Sequence, residues 1–506
     1  MKKTKISLLL KKAFVYFLVL LTLFSLMMPV YASQVNDSVP DVSNDHFTSE
    51  AIPELNSDEL NNLCNYLKGQ QFVETSLIDS VRCCGTYADM LIEYYYNSFC
   101  EDSSQDMPAY LSDAYSNVND AYYDVDTLTV SSTNNSFDNF VISYSSSSPV
   151  SELAEKAEIV AEIFNEVYVW YCDINGFMAP KTNMNNVKYY VTISDHLNAN
   201  GKTFSKGSGL SYIVIHENVI DEYMLNGTFL EGVIAHEFMH AILFGYGLES
   251  FDLDVDFAHE AMGQAAGIEY DLSYASRNSV CTRIETFLLN LGTSIGTVDN
   301  TSYMYGGSLF FLYLYETYGG WDIMKSIFEY YDSSYTIFEN IDNVLFFEYD
   351  SSVSHEFRYF MVYCVAPDQM FEMSPYNYGI SNASWGQPEP EDEYFINGPS
   401  FISGEDELEY LSGHFIIAYN TSSQTKRLVI TVNYASNNNA IPEGTFMIYN
   451  STTDTYIYSG EVVVGNELYG VFNLTCNPQD KLWIIICNAG LSGTLEYSYE
   501  ISATNY

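Results

Sequence analysis

The sequence predicts an α+β fold followed by an all-β domain, and three stretches of apolar patterning carry that expectation. Between Phe137 and Tyr246, strand-like and helix-like runs alternate. From Glu260 to about residue 365 the spacing is almost wholly helical. Past an acidic, proline-containing boundary at residues 384 to 395, short strand-like runs separated by turn residues continue to the C-terminus, as in a β-sandwich. The expected division is 1–32 as an export leader, 33–135 as a linker with an N-terminal helical or pro-like region, 136–383 as the mixed domain and 396–506 as the sandwich.

The elements follow in order. Lys2, Lys3, Lys5, Lys11 and Lys12 precede an apolar run from Ala13 to Val30, and Val30-Tyr31-Ala32 offers the small residues a signal peptidase needs. Cleavage after Ala32 is expected over a retained membrane anchor, which gives a secreted chain with no membrane contact. Leu60, Leu63, Cys64 and Leu67 mark helix between Ser57 and about Phe99; this region reads as a removable pro-segment, a small domain or a packing arm. Asn139 to Tyr144 is a strand. Leu153, Val160, Phe164, Val167 and Tyr171 share a helix face that stops near Asn175-Gly176. Lys188 to Ser194 and Tyr212 to Ile215 are strands, and His216, at the end of the second, reads as structural. Helices are expected at Ile284 to Leu291, Ser308 to Tyr318, Trp321 to Tyr331 and Val353 to Val365. The sandwich strands are His414 to Tyr419, Arg427 to Tyr434, Phe446 to Tyr449, Glu461 to Val464, Tyr469 to Leu474, Leu482 to Cys487 and Leu495 to Ile501.

Charge narrows the partners. Nineteen Lys and Arg less the five leader lysines leave 14, against 66 Asp and Glu, a net −52. Nucleic acid and anionic membranes are therefore poor partners. With 47% hydrophobic residues, disorder throughout is excluded. Nine scattered cysteines form no C-x-x-C; a bridge among Cys64, Cys83, Cys84 and Cys100 suits an exported chain, and Cys487 reads as a core thiol.

The chemistry concentrates in Gly232-Val-Ile-Ala-His236-Glu237-Phe-Met-His240-Ala-Ile-Leu-Phe. On a helix His236 and His240 project from one face a turn apart, so two neutral imidazoles can grip one zinc ion while Glu237 reaches a water on it. Three other His-Glu pairs, His216-Glu217, His259-Glu260 and His355-Glu356, lack the second histidine. The apolar neighbours make this a buried helix, where polar side chains need a metal or hydrogen bonds. A third ligand is expected from elsewhere, and Glu260 lies twenty residues past His240 on an Ala-rich segment that reads as a second helix.

At these residues the chain resembles the gluzincin, thermolysin-like zinc metallopeptidases, over roughly residues 137 to 375. The resemblance implies a two-lobed zincin-like domain, with a β-containing N-lobe and a helical C-lobe. It implies Zn2+ held by His236, His240 and Glu260, with Glu237 as general base. It also implies a protein or peptide substrate paired by backbone hydrogen bonds along the strand Tyr212 to Ile215. A tyrosine serving the oxyanion falls at Tyr305, with Tyr303 second. One departure stands out: where the family often places an acid to orient a zinc-bound histidine, this chain has Gln264, which can accept a hydrogen bond but brings no charge.

The expected function is a secreted zinc-dependent endopeptidase. Two rivals stay open: a surface-binding or adhesion protein with an inactive peptidase-like domain, and a zinc amidase acting on cell-wall peptides. The sandwich offers a cell-surface or glycan contact. Alternating carboxylates in Glu249-Ser-Phe-Asp252-Leu-Asp254-Val-Asp256 are either a Ca2+ site without EF-hand spacing or a solvated acidic loop.

Overall fold

The computed structural model describes residues 56–67, 108–112, 139–145, 148–182, 188–195, 197, 199–248, 253–297, 301–366, 385–437, 439–453, 455–462 and 469–505. The leader, most of the 33–135 region, Cys83, Cys84, Cys100 and residues 249–252 of the acidic stretch lie outside these. The fold is mixed α+β.

Helix α1 (Ser57–Leu67) carries part of the N-terminal pattern and buries Leu60 and Leu63. After β1 (Phe140–Ser145) comes α2 (Val150–Tyr168), which runs on through a π turn to Asn175 and Gly176, the latter with φ of 74°. Leu153, Val160, Phe164 and Val167 are all buried, as their spacing predicts. Strands β2 (Tyr189–Ser194), β3 (Gly201–Gly207) and β4 (Leu210–His216) complete a sheet ordered β1-β2-β4-β3. The first, second and fourth strands are parallel and β3 returns antiparallel on β4.

This corrects the expected edge. The strand holding Tyr212 to Ile215 is interior, with β2 on one side and β3 on the other; the edge strands are β1 and β3, and β3 is the edge next to it. Its sequence Gly-Lys-Thr-Phe-Ser-Lys-Gly has one large apolar residue, too few to show as a strand run. The tight hairpin that creates it, Gly207-Ser208-Gly209, has positive φ at all three positions.

Helix α3 (Glu217–Asn226) starts where the His216 ring accepts a hydrogen bond from the Asn218 N–H, which confirms the structural role expected of that histidine. Then come α4 (Leu230–Tyr246) and α5 (Leu253–Tyr270), packed against each other. Beyond them lie α6 (Leu272–Ala275), α7 (Asn278–Leu288), α8 (Thr301–Gly306), α9 (Ser308–Tyr318), α10 (Asp322–Glu329), α11 (Ile337–Tyr349) and α12 (Val353–Val365). Both α2 and α4 lie on the sheet, and α8, α9 and α11 pack around α5.

The C-terminal part is a two-sheet β structure made of β5 (Asp392–Ile396), β6 (Ser400–Leu408), β7 (Ser412–Asn420), β8 (Lys426–Asn437), β9 (Pro442–Asn450), β10 (Thr455–Val462), β11 (Tyr469–Cys476), β12 (Lys481–Asn488) and β13 (Thr494–Asn505). One sheet runs β10-β9-β12-β7-β5, the other β11-β8-β13-β6. Strand β5 begins inside the stretch read as a boundary, and β6 was not expected. Both are acidic and half exposed, so only every second residue faces inward.

Strand β12 is apolar on both faces for a reason. Leu482, Ile484 and Ile486 enter the core between the sheets, while the opposite face meets α12. Cys487 is buried, as expected of a core thiol. No helix among the described residues is long and apolar enough to cross a membrane.

Candidate metal centre

Helix α4 is buried from Leu230 to Gly245 except at Glu231, so it shows no amphipathic stripe. Its first amides are held by another segment. The Phe229 N–H donates to Ser273 Oγ at 2.8 Å and the Gly232 N–H to Asp271 Oδ2 at 3.3 Å. This fixes the helix start beside α6.

His236 and His240 point to one side, their Nε2 atoms 3.1 Å apart. Helix α5 brings Glu260 Oε2 to 3.6 Å from the first and 3.7 Å from the second. Tetrahedral zinc, with bonds of about 2.0–2.2 Å, spaces its ligands about 3.3–3.6 Å apart. The three donors fit. Glu260 is fully buried, and neither of its carboxylate oxygens has a hydrogen-bond partner among the described residues. A carboxylate stranded like that costs several kcal/mol, roughly, unless a cation meets it.

The close approach of the two helices depends on Gly263. A Cβ there would stand 3.0 Å from His236 Cε1, so the imidazole would have to give by a few tenths of an ångström to admit one. Burial first, and then the Arg283 charge, push the His236 pKa down to about 3, against a smaller pull from the Gly263 backbone. Burial also lowers His240, although the Glu260 charge opposes it. Both rings are therefore neutral, the form that ligates metal.

A third histidine sets the tautomer. His259 Nε2 lies 2.7 Å from the Leu248 carbonyl, which can only accept, so this nitrogen carries the proton. With burial keeping His259 neutral, its Nδ1 is bare. His240 Nδ1, 3.2 Å away, must then donate to it. That leaves the His240 Nε2 lone pair facing Glu260 and His236.

Glu237 is met from the sheet side. Thr203 Oγ1 on β3 lies 2.8 Å from the Glu237 carboxylate Oε2 and 2.8 Å from its main-chain carbonyl. A Cβ on Gly201 would stand 2.6 Å from Glu237 Cγ, so β3 touches α4 through a missing side chain and a hydroxyl.

Gln264 does accept hydrogen bonds, but not from a histidine. Its Oε1 takes one from Arg283 at 2.8 Å and one from Tyr274 at 3.3 Å. Arg283 is itself buried, its guanidinium carbon 3.7 Å from the centre of the Tyr305 ring. That ring lies nearly parallel to His236, 6.0 Å between centroids. Tyr303 faces elsewhere, its hydroxyl donating to the Thr293 carbonyl at 2.7 Å. Of the two expected tyrosines, Tyr305 is the one beside the histidines.

In the acidic stretch, residues from Leu253 on belong to α5.

A second group, Glu391, Asp406 and His414, lies in the β part. There Asp406 faces the imidazole Nδ1 at 3.8 Å and Glu391 the opposite Nε2 at 3.9 Å, and the Tyr497 hydroxyl already sits 2.8 Å from Nδ1. One ligand atom from each lies within 4.8 Å of the others, but both carboxylates are exposed, and exposed acidic groups commonly stand so without an ion.

The chain matches no protein-family model and no curated protein sequence. Two solved structures resemble a part of it. One is the pre-peptidase C-terminal domain of collagenase from Bacillus anthracis, at 14% identity over 23% of this chain and 100% of that one, with a TM-score of 0.16. The other is PliG from Aeromonas hydrophila, a periplasmic inhibitor of g-type lysozyme, at 11% identity over 22% and 99%, with a TM-score of 0.15. Likeness that slight carries no argument. The site's meaning rests on its own geometry.

Sequence reasoning missed His259, Thr203, Gly201, Gly263 and Arg283. His259 had a signal in hand, since it directly precedes Glu260; the others come from separate elements and carry no local pattern.

Proposed function

We propose that this chain is a zinc-dependent endopeptidase of the gluzincin type, exported on its leader. The observation that carries the reading is the trio His236, His240 and Glu260: buried, 3.1–3.7 Å apart, and centred on a carboxylate with no hydrogen-bond partner among the described residues. The two lobes of that type would be the sheet with α2 and α4, and the helices from α5 to α12.

These three residues would hold the ion. Zinc bound there supplies a Lewis acid that polarises a carbonyl and acidifies a water. Glu237 takes the proton from the attacking water and returns it to the leaving amine. Thr203 holds the Glu237 carboxylate in place for both transfers. Tyr305, braced by Arg283 and beside His236, would donate from its phenol to the oxygen that gains charge. The free edge of β3 would pair with an extended peptide, bringing one of its bonds past Glu237.

Replacing Glu237 by Gln tests this. The variant should keep its zinc by elemental analysis and cleave denatured protein at least about 10²-fold more slowly. Undiminished cleavage by Glu237→Gln would refute the general-base role. Fragments read by mass spectrometry would show whether protein or cell-wall peptides are the substrate.

A further inference from the structure

Cations are scarce in this chain, and their placement is uneven. Of the fourteen Lys and Arg past the leader, Lys181, Lys188, Lys202 and Lys206 all fall between residues 181 and 206, in a chain of formal net charge −47. The sheet register gathers three of them at one end. Gly207, next to Lys206, pairs with Leu210, and Lys181 bridges the same Leu210. Lys188 stands just before β2, whose first residue, Tyr189, bonds Ser211 through its hydroxyl at 2.8 Å.

Elsewhere Lys156, Arg277, Lys325 and Arg358 each hold a carboxylate at 2.5–3.2 Å. Lys181 and Lys206 are exposed and make no ion pair among the described residues. Instead the Lys206 ammonium sits 4.9 Å from the centre of the Tyr212 ring, and the Lys181 stem lies across Gly209. Two cations with no ion pair among the described residues thus mark the hairpin that joins β3 to β4, Lys206 from β3 itself and Lys181 reaching over Gly209 from the far side of β4. The other end of β3, at Gly201 and Thr203, touches Glu237.

We propose that this end of the edge selects acidic peptides: an extended substrate lies along β3 with Asp or Glu beside Lys181 and Lys206. This rests on the peptidase reading for its occupant. Lys206 is three residues beyond Thr203 and five beyond Gly201, a span of about 10–17 Å at the rise of a strand. The favoured acids therefore stand three to five residues from the cleaved bond. Charge complementarity acts twice, because the acidic remainder of the molecule repels such a peptide everywhere else and so fixes its placement as well as its affinity.

The test uses the full chain loaded with zinc and two peptides that differ only in carrying Asp or Asn three to five positions from the cleaved bond, on either side. The acidic form should be cleaved with a kcat/KM about fivefold higher, through KM, as two exposed ion pairs allow. Added salt should erode the preference. The double variant Lys181→Glu with Lys206→Glu should lose or invert it, and Lys181→Arg with Lys206→Arg should keep it, which separates charge from misfolding. Equal cleavage of the two peptides by the unaltered protein, or a preference that survives the Glu substitutions, overturns the inference. Fluorescence anisotropy of both peptides on the zinc-free protein separates this from the reading it rests on. Acid-selective binding without cleavage after zinc loading refutes the peptidase and leaves the docking surface standing. Cleavage without selectivity does the reverse.

Discussion

The proton on His240 Nδ1 is decided two hydrogen bonds away from the candidate metal site, at the Leu248 carbonyl. That carbonyl forces a proton onto His259 Nε2, and the chain of donors ends with a bare His240 Nε2 facing Glu260. His259 is thus a positioning residue. Replacing it by Phe should weaken zinc binding about 10–100-fold, the usual effect of losing such a partner, in a competition titration against a chelator. His259→Asn, which can still accept from His240, should recover much of that affinity. Equal weakening by both variants would show that packing alone is at stake. His236, Glu237, His240 and Glu260 were legible in the sequence because two turns of one helix and a nearby second helix hold them all. His259, Arg283 and Thr203 act by touching those residues from outside, and a contact made only in space leaves no spacing to read.

Strand β3 shows the same limit among elements. Helices α9 and α12 stand where the sequence predicts them, because α9 is an apolar run bounded by Gly307 and Gly319 and α12 starts at the Ser352 cap. Helix α4, buried nearly all round, was legible from its motif and its unbroken apolar run. Strand β3 has Lys, Thr, Ser and a single Phe, and it exists because β4 offers it a hydrogen-bonding edge and α4 a flat contact. Its alternation nevertheless has a use, for Gly201 and Thr203 face Glu237 while Lys202, Phe204 and Lys206 take the other side. Gly201→Ala should drive the strand off α4, since its Cβ would meet Glu237 Cγ at 2.6 Å and Oε1 at 2.9 Å. The expected result is a stability loss of about 1–3 kcal/mol in urea, with peptide cleavage falling further than that loss explains and zinc content unchanged. Full activity in Gly201→Ala would mean that Glu237 does not need β3 for its placement.

Across the whole molecule, the β part is joined to the helices by a seam that the sequence did not announce. Its strands were readable singly, but the surface that β12 and β7 turn toward the helices becomes visible only once Trp483, Ile485 and Cys487 prove buried on the outer side of the sheet. Main-chain bonds cross the seam, from the Gly413 N–H to the Leu291 carbonyl at 2.8 Å and from the Ile295 N–H to the Leu411 carbonyl at 3.0 Å. Arg358 reaches Glu443 across it at 3.2 Å. His414 sits among these contacts, so close to the 289–293 turn that a Cβ on Gly292 would stand 2.7 Å from its Nε2. Burial lowers its pKa, and the carboxylates of Glu391, Asp406 and Asp392 raise it by less. The native chain therefore binds a proton there less readily than the unfolded chain, whose imidazole titrates near 6.5. The stabilising contribution of the neutral ring is complete above that pH and is lost as the pH falls through the lower native value. Amide exchange at Gly413 and Ile295, the two donors across the seam, should accordingly lose protection between pH 7.5 and 5, relative to amides deep in α4. His414→Gln, which has no proton to gain, should remove that pH dependence. A seam that loosens equally in both proteins would assign the acid sensitivity to the carboxylates instead.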